Sequence, residues 1–246
     1  MNIILLFEND FIRGNDKADN KQTKGKVVLT GRRCDHINNI HRAQAGQTLS
    51  VGLLNGKIGE GYIDSIDENQ VTLTISLQSP PPLPLPLTLI IALPRPKMLK
   101  RILQTCATMG AKKIIFINSY RVEKSYWQSP LLSEESIREQ LILGLEQGKD
   151  TQLPEVILEK RFKPFVEDRL PSICTGTHAI VAHPKSTQPC PSGLTSDTTL
   201  VIGPEGGFID YEIEKLTEAG CQGVTLGKRI LRVETAVTVL LSRLFL

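Results

Sequence analysis

The stretch TLVIGPEGGFIDYEIEKLTEAGCQGVTLGKRILRVETAVTVLLSRLFL, residues Thr199–Leu246, decides the fold. Thr199–Ile202 is a compact apolar run of strand length. It leads into Gly203-Pro204-Glu205-Gly206-Gly207, whose three glycines let a ligand approach the backbone closely. Asp210 stands where a helix would be capped; that helix turns Ile213 and Leu216 inward, has Glu212 in its first turn and stops at Gly220. Gly223–Leu226 reads as the next strand. The loop Gly227–Val233 then carries Lys228, Arg229 and Arg232 around the apolar Ile230 and Leu231. A last helix buries Val237, Leu240, Leu241 and Leu244. Two loops therefore leave the same ends of neighbouring parallel strands, where open α/β sheets bind ligands. The glycines serve tight turns equally well. The loop has neither G-x-G-x-x-G nor a phosphate-binding Lys-Ser/Thr, which argues against a dinucleotide site or a P-loop.

Upstream, the same alternation continues. Thr88–Leu93 is a strand, and Lys97–Met109 is a helix with Met98, Leu99, Ile102, Leu103 and Cys106 on one face. Lys113–Ile117 is a strand, and Ser133 caps a helix to about Gln147, with Gly148 as its stop. Glu155–Leu158 and His178–Ala182 are further strands. The pattern predicts an α/β fold with a mostly parallel sheet covered on both faces. The run SPPPLPLPL, Ser79–Leu87, holds five prolines and cannot be a central strand or a helix interior. Before it, Val27–Thr30, Thr48–Leu53, Gly59–Ile66 and Val71–Leu77 read as short strands, with a hairpin signal at Asn55-Gly56 and a helix near Asp35–Arg42. We therefore expect a small β-barrel domain at 1–78, a linker at 79–87 and the α/β domain at 88–246.

The balance of 40% hydrophobic and 22% charged residues is that of a globular protein, and a net charge of +3 is too small to imply a partner. Cys34, Cys106, Cys174, Cys190 and Cys221 are odd in number and none are spaced C-x-x-C, which argues against a disulfide framework or a zinc cluster. His36 and His41 lack the cysteines or carboxylates that would complete a metal site, so no metal is expected. The apolar start MNIILLFEND is short, and no run reaches the roughly 18 residues of a membrane span. No membrane association and a cytoplasmic location are expected.

IGPEGGF (Ile202–Phe208) followed by LGKRILRVETA (Leu226–Ala236) resembles the paired signature of the 16S ribosomal RNA uridine-N3 methyltransferases of the SPOUT superfamily. His183-Pro184 after its strand, EQGKDTQLPEV (Glu146–Val156) and DHINNIHRAQAGQTLSV (Asp35–Val51) extend the resemblance over nearly the whole chain. It implies a C-terminal trefoil-knot α/β domain, a PUA-like N-terminal β-barrel and a homodimer. Two departures stand out. Thr105 and Thr108 occupy positions where the family carries Lys and Glu, and Ser119-Tyr120-Arg121 replaces Ser-Glu-Arg.

The resemblance also implies roles. S-adenosyl-L-methionine is the cofactor, held around His183, Gly203, Glu205, Gly206, Leu226, Gly227, Ile230 and Leu231, with Thr235 and Ala236 opening the closing helix. Arg232 is the expected catalytic cation, since charge spreads onto the uracil carbonyls as N3 loses its proton. Its competing role is to brace the loop by pairing with Glu205 or Glu234. The 16S ribosomal RNA, within the small ribosomal subunit, is the expected partner, contacted by Arg32, Arg33, His36, Arg42 and Arg121. His41 lies in the same cluster, and Arg13, Lys17, Lys21, Lys24 and Lys26 add charge nearby. The altered 105–121 stretch motivates one alternative, a non-catalytic ribosomal-RNA-binding factor on the same fold.

Overall fold

The computed structural model describes residues 1–12 and 23–246. They form two compact units: Met1–Leu83 with Leu145–Leu153, and Pro84–Gly144 with Pro154–Leu246.

The first unit contains β1 (Ile4–Leu6), β2 (Lys24–Thr30), α1 (Arg32–His36) running into a π-helical turn (Ile37–His41), β3 (Thr48–Leu53), β4 (Ile58–Ile66) and β5 (Gln70–Ser79). The strand order is β1-β3-β4-β5-β2. Pairing is antiparallel except between β1 and β3. Phe11, beyond β1, bridges Val27 in β2, and the Ile12 N–H donates to the Lys26 carbonyl at 2.9 Å. The chain leaving one edge strand thus meets the other, and the sheet curls. Period-two alternation along β5 turns Val71, Leu73, Ile75 and Leu77 inward. They pack with Ile4, Leu6, Val27, Leu29, Ile37, Val51 and Ile63.

Three features of this unit differ from the sequence reading. β1 is a strand only through its parallel pairing with β3. The β3–β4 turn is wider than a two-residue hairpin: only Asn55 has positive φ (58°), and Leu53 N–H reaches the Lys57 carbonyl. The segment Leu145–Leu153 belongs here and interrupts the expected 88–246 range. It is tied in by the Asn2 and Ile3 N–H groups on the Glu146 carbonyl (2.8 and 3.2 Å) and by the Thr151 hydroxyl on the Gly56 carbonyl (2.6 Å).

The second unit contains β6 (Leu87–Ala92), α2 (Pro96–Thr108), β7 (Lys113–Ile117), most of α3 (Glu134–Gly148), β8 (Glu155–Glu159), α4 (Phe162–Pro164), a π-helical turn (Phe165–Arg169), α5 (Leu170–Cys174), β9 (His178–Ala182), β10 (Gln188–Pro189), β11 (Thr198–Ile202), α6 (Asp210–Glu218), β12 (Gln222–Thr225) and α7 (Val233–Phe245). The sheet order is β10-β12-β9-β11-β6-β7-β8. Every neighbouring pair is parallel. β11 is buried along its whole length, as a continuous apolar run in a parallel sheet should be. The chain passes from β11 through α6 to β12, which lies on the far side of β9.

α2 and α3 meet at Gly144, where a Cβ would lie 2.4 Å from the Gln104 carbonyl oxygen. The Thr108 hydroxyl donates to the Gly144 carbonyl at 3.0 Å, so a small side chain serves this close contact. No described helix is long and apolar enough to cross a membrane. All five cysteines are free and buried.

Candidate active site

β9 pairs with both β11 and β12, so the carboxyl ends of three strands lie side by side. The loops that follow them enclose a cavity of about 530 Å³, the size of a small-molecule site. His183 and Lys185 line it from the loop after β9, residues 203–210 from the loop after β11, and Leu226, Gly227, Arg229, Ile230 and Leu231 from the loop after β12. Val233, Ala236 and Leu240 of α7 complete the wall, with Arg121 from the segment after β7.

Local bonds hold these loops in place. The His183 N–H donates to the Val224 carbonyl at 2.9 Å and joins the first loop to β12. The Gly227 N–H donates to the Thr225 hydroxyl at 3.2 Å, and Gly227 takes φ 114°, which an L side chain rarely adopts. The Arg121 guanidinium donates to the Gly206 carbonyl. A Cβ on Gly206 would lie 2.9 Å from Arg121 Cδ, so glycine permits this contact. Glu205 accepts the Arg95 N–H at 3.2 Å and stands 3.9 Å from its guanidinium.

The cap of α6 differs from the sequence reading. Ile209 occupies the capping position, and Asp210 is the exposed first helical residue. The buried Glu212 carboxylate does the work instead: one oxygen accepts the Ile209 N–H at 3.0 Å and the other the Tyr120 N–H at 2.7 Å. It thereby locks the segment after β7 to the start of α6.

His183, Gly203, Glu205, Gly206, Leu226, Gly227, Ile230, Leu231 and Ala236 all line this one cavity. Thr235 does not; it is exposed on α7. Arg232 does not line it either. It is the exposed residue before α7, between Leu231 and Val233, which do. Among the described residues Arg232 forms no ion pair, and Glu205 is engaged by Arg95 instead. The sequence reading missed Lys185, Phe208, Arg229 and Leu240 as lining residues. Each lies within a few positions of a motif residue, and that adjacency is the only signal for them.

Burial, reinforced by nearby Lys185, holds the His183 imidazole below its ordinary value of 6.5. The folded protein then binds fewer protons than the unfolded chain just beneath that value. Stability is therefore full at neutral pH and declines as pH falls through about 6.5. His183→Gln should flatten the acid limb of a plot of Tm against pH, in part only, because His36 is lowered in the same way. An unchanged limb would contradict this.

The residues expected to contact RNA separate. Arg32 grips Glu146 with two bonds of 2.8 and 3.0 Å, and the Glu146 side chain is only 1% exposed. Arg33 is mostly buried, bonded to Asp10 and the Leu5 carbonyl, and stacked 4.7 Å from the Phe7 ring. Both guanidiniums thus hold the first unit together. Arg32→Ala should destabilise that unit by about 3 kcal/mol, because it strands a buried carboxylate, and urea unfolding measures this. A change below about 0.5 kcal/mol, the ordinary surface effect, would mean that Arg32 is not structural. His36 is partly buried, with its Nε2 unpartnered and its ring 4.9 Å from that of the exposed His41. Arg42 is exposed at φ 52°. Lys26 is 3.4 Å from Asp64, and Lys24 is exposed. Arg13, Lys17 and Lys21 lie outside the described residues. Arg121 lines the cavity wall. Among the described residues no three His, Cys, Asp or Glu side chains gather as a metal site.

A parallel α/β sheet with a loop-walled cleft at its carboxyl edge defines a ligand-binding protein of the open-sheet class. The chain belongs to the family of the RNA methyltransferase domain, whose model matches residues 81–245. It is 28% identical over 243 residues to ribosomal RNA small subunit methyltransferase E of Treponema pallidum, covering 96% of this chain and 87% of that protein. The fold is shared with ribosomal RNA small subunit methyltransferase E of Neisseria gonorrhoeae bound to S-adenosyl methionine, at a TM-score of 0.68, 21% identity and coverage of 98% and 95%. It is also shared with Lpg2936 of Legionella pneumophila in complex with the same cofactor, at a TM-score of 0.71, 22% identity and coverage of 98% and 96%.

Proposed function

We propose that this protein transfers a methyl group from S-adenosyl-L-methionine to N3 of a uridine in 16S ribosomal RNA within the small ribosomal subunit. One observation carries the reading: nine residues picked from the paired signature and the His183-Pro184 loop, far apart in sequence, line a single cavity. That cavity suits the cofactor. Gly203, Gly206 and Gly227 leave backbone accessible, and Leu226, Ile230 and Leu231 offer apolar surface for an adenine. When bound, the cofactor supplies an electrophilic methyl on a sulfonium. The chain's part is to hold donor and acceptor in line and to exclude water.

Arg232, exposed beside the cavity and in no ion pair among the described residues, is the cation we assign to the uracil carbonyls. A guanidinium there stabilises charge that develops as N3 gives up its proton. Lys228 and Arg229 lie on the same loop and offer charge to the phosphates. In this reading the first unit, Met1–Leu83 with Leu145–Leu153, is a PUA-like RNA-binding barrel, and the second, Pro84–Gly144 with Pro154–Leu246, is the catalytic domain. The catalytic domain is a trefoil knot that pairs in a cytoplasmic homodimer, and Arg32, His41 and Arg42 are the exposed members of the expected RNA-contacting cluster. The alternative, a non-catalytic ribosomal-RNA-binding factor on the same fold, keeps its motive at Thr105 and Tyr120, while Thr108 has a packing role at Gly144. Purified protein should incorporate labelled methyl into small ribosomal subunits from cells lacking it. Absence of label in any ribosomal RNA would overturn the proposal.

A further inference from the structure

Tyr120 is the aromatic residue that stands where the resembling family carries a carboxylate, and it is 79% exposed. Its N–H is held at 2.7 Å by the buried Glu212, which also holds the Ile209 N–H directly after the glycine loop. The next residue, Arg121, forms part of the cavity wall and donates to the Gly206 carbonyl. The backbone that carries the ring is therefore held, one residue from the wall, and the ring has no aromatic or cationic partner among the described residues. Arg121 is partly exposed beside it, and Arg95, whose side chain is 67% exposed, stands on the Glu205 side of the same loop.

An exposed, unpartnered aromatic ring next in the chain to a cavity-wall arginine is a surface on which an unpaired nucleobase can stack. The exposed arginines Arg121 and Arg95 at the same glycine loop favour an anionic strand as the partner. Accepting the RNA-methyltransferase reading, we infer that Tyr120 is a stacking platform for an unpaired base of the substrate RNA, next to the one that enters the cavity. It would hold the target strand open at the cavity rim and so position the substrate without touching the reacting atoms. It replaces a carboxylate that would repel phosphate with a surface that binds a base face.

The test compares wild type, Tyr120→Ala, Tyr120→Phe and Tyr120→Trp as full-length protein. It measures filter binding of small-subunit ribosomal RNA, kinetics of methyl transfer, S-adenosylmethionine affinity and Tm. Tyr120→Ala should weaken RNA binding and raise KM for RNA about tenfold, with kcat, cofactor affinity and Tm nearly unchanged. Tyr120→Phe and Tyr120→Trp should retain binding, because the ring rather than the hydroxyl does the work. Unchanged RNA binding in Tyr120→Ala, or equal damage in Tyr120→Phe, would overturn the inference. If wild type binds RNA in a Tyr120-dependent way yet transfers no methyl, the platform stands and the enzymatic reading falls. If wild type binds no RNA, both fall.

Discussion

Arg232→Ala should lower kcat for methyl transfer by about 10²- to 10³-fold, the usual loss when a fixed donor to developing charge is removed. Cofactor affinity should hold, because Arg232 lies outside the cavity lining while its neighbours Leu231 and Val233 are in it. The substitution removes no ion pair that holds the fold, so Tm should stay within a degree or two of wild type. Arg232→Lys should recover only part of the rate, because an ammonium cannot present the paired donors of a guanidinium. Turnover and isothermal titration with S-adenosylmethionine, run on the same preparations, measure both effects. A rate preserved in Arg232→Ala would remove this residue from the chemistry. A joint loss of cofactor binding and rate would make it part of the cofactor site instead.

Gly144→Val should cost about 3 kcal/mol of stability, near the upper end for overpacking a helix contact. Even a single added Cβ would lie 2.4 Å from the Gln104 carbonyl oxygen and 2.8 Å from the Ala107 Cβ. A backbone carbonyl cannot rotate aside as a flexible side chain can, so α2 and α3 must separate. Separation would also break the Thr108 bond to the Gly144 carbonyl and the 2.7 Å bond between Gln104 and Gln140. Urea unfolding should show a lower midpoint. A midpoint equal to wild type would mean that the helices have room to spare and that Thr108 has no packing reason to be small.

Much of this architecture is legible in the residues because its signals are local. Parallel strands buried on both faces are continuous apolar runs, and β7 and β9 lie where Lys113–Ile117 and His178–Ala182 suggest. The glycine loop and the LGKRILR loop stand at strand ends, and the parallel pairing of β9, β11 and β12 brings them together. What was not legible depends on partners distant in sequence. β1 is three residues long and acquires its identity from β3. Phe162–Cys174 mixes short helical pieces with a π-helical turn and shows no clean period. Arg32 and Arg33 look like an RNA-binding cluster until Glu146 and Asp10 are placed against them, and Glu146 is 114 positions away. Glu212 looks like an ordinary first-turn acid, yet its two oxygens hold two separate chain segments. Charge pattern alone cannot tell a cation that faces phosphate from one that faces a buried carboxylate.

The most direct test is the identity of the modified nucleoside. Small ribosomal subunits from cells lacking this protein are incubated with the purified enzyme and S-adenosylmethionine, and the 16S ribosomal RNA is digested and resolved by mass spectrometry. The account predicts 3-methyluridine, formed with wild type and lost with Arg232→Ala. Methyl on a ribose, on a base other than uracil, or on no nucleoside at all would contradict it.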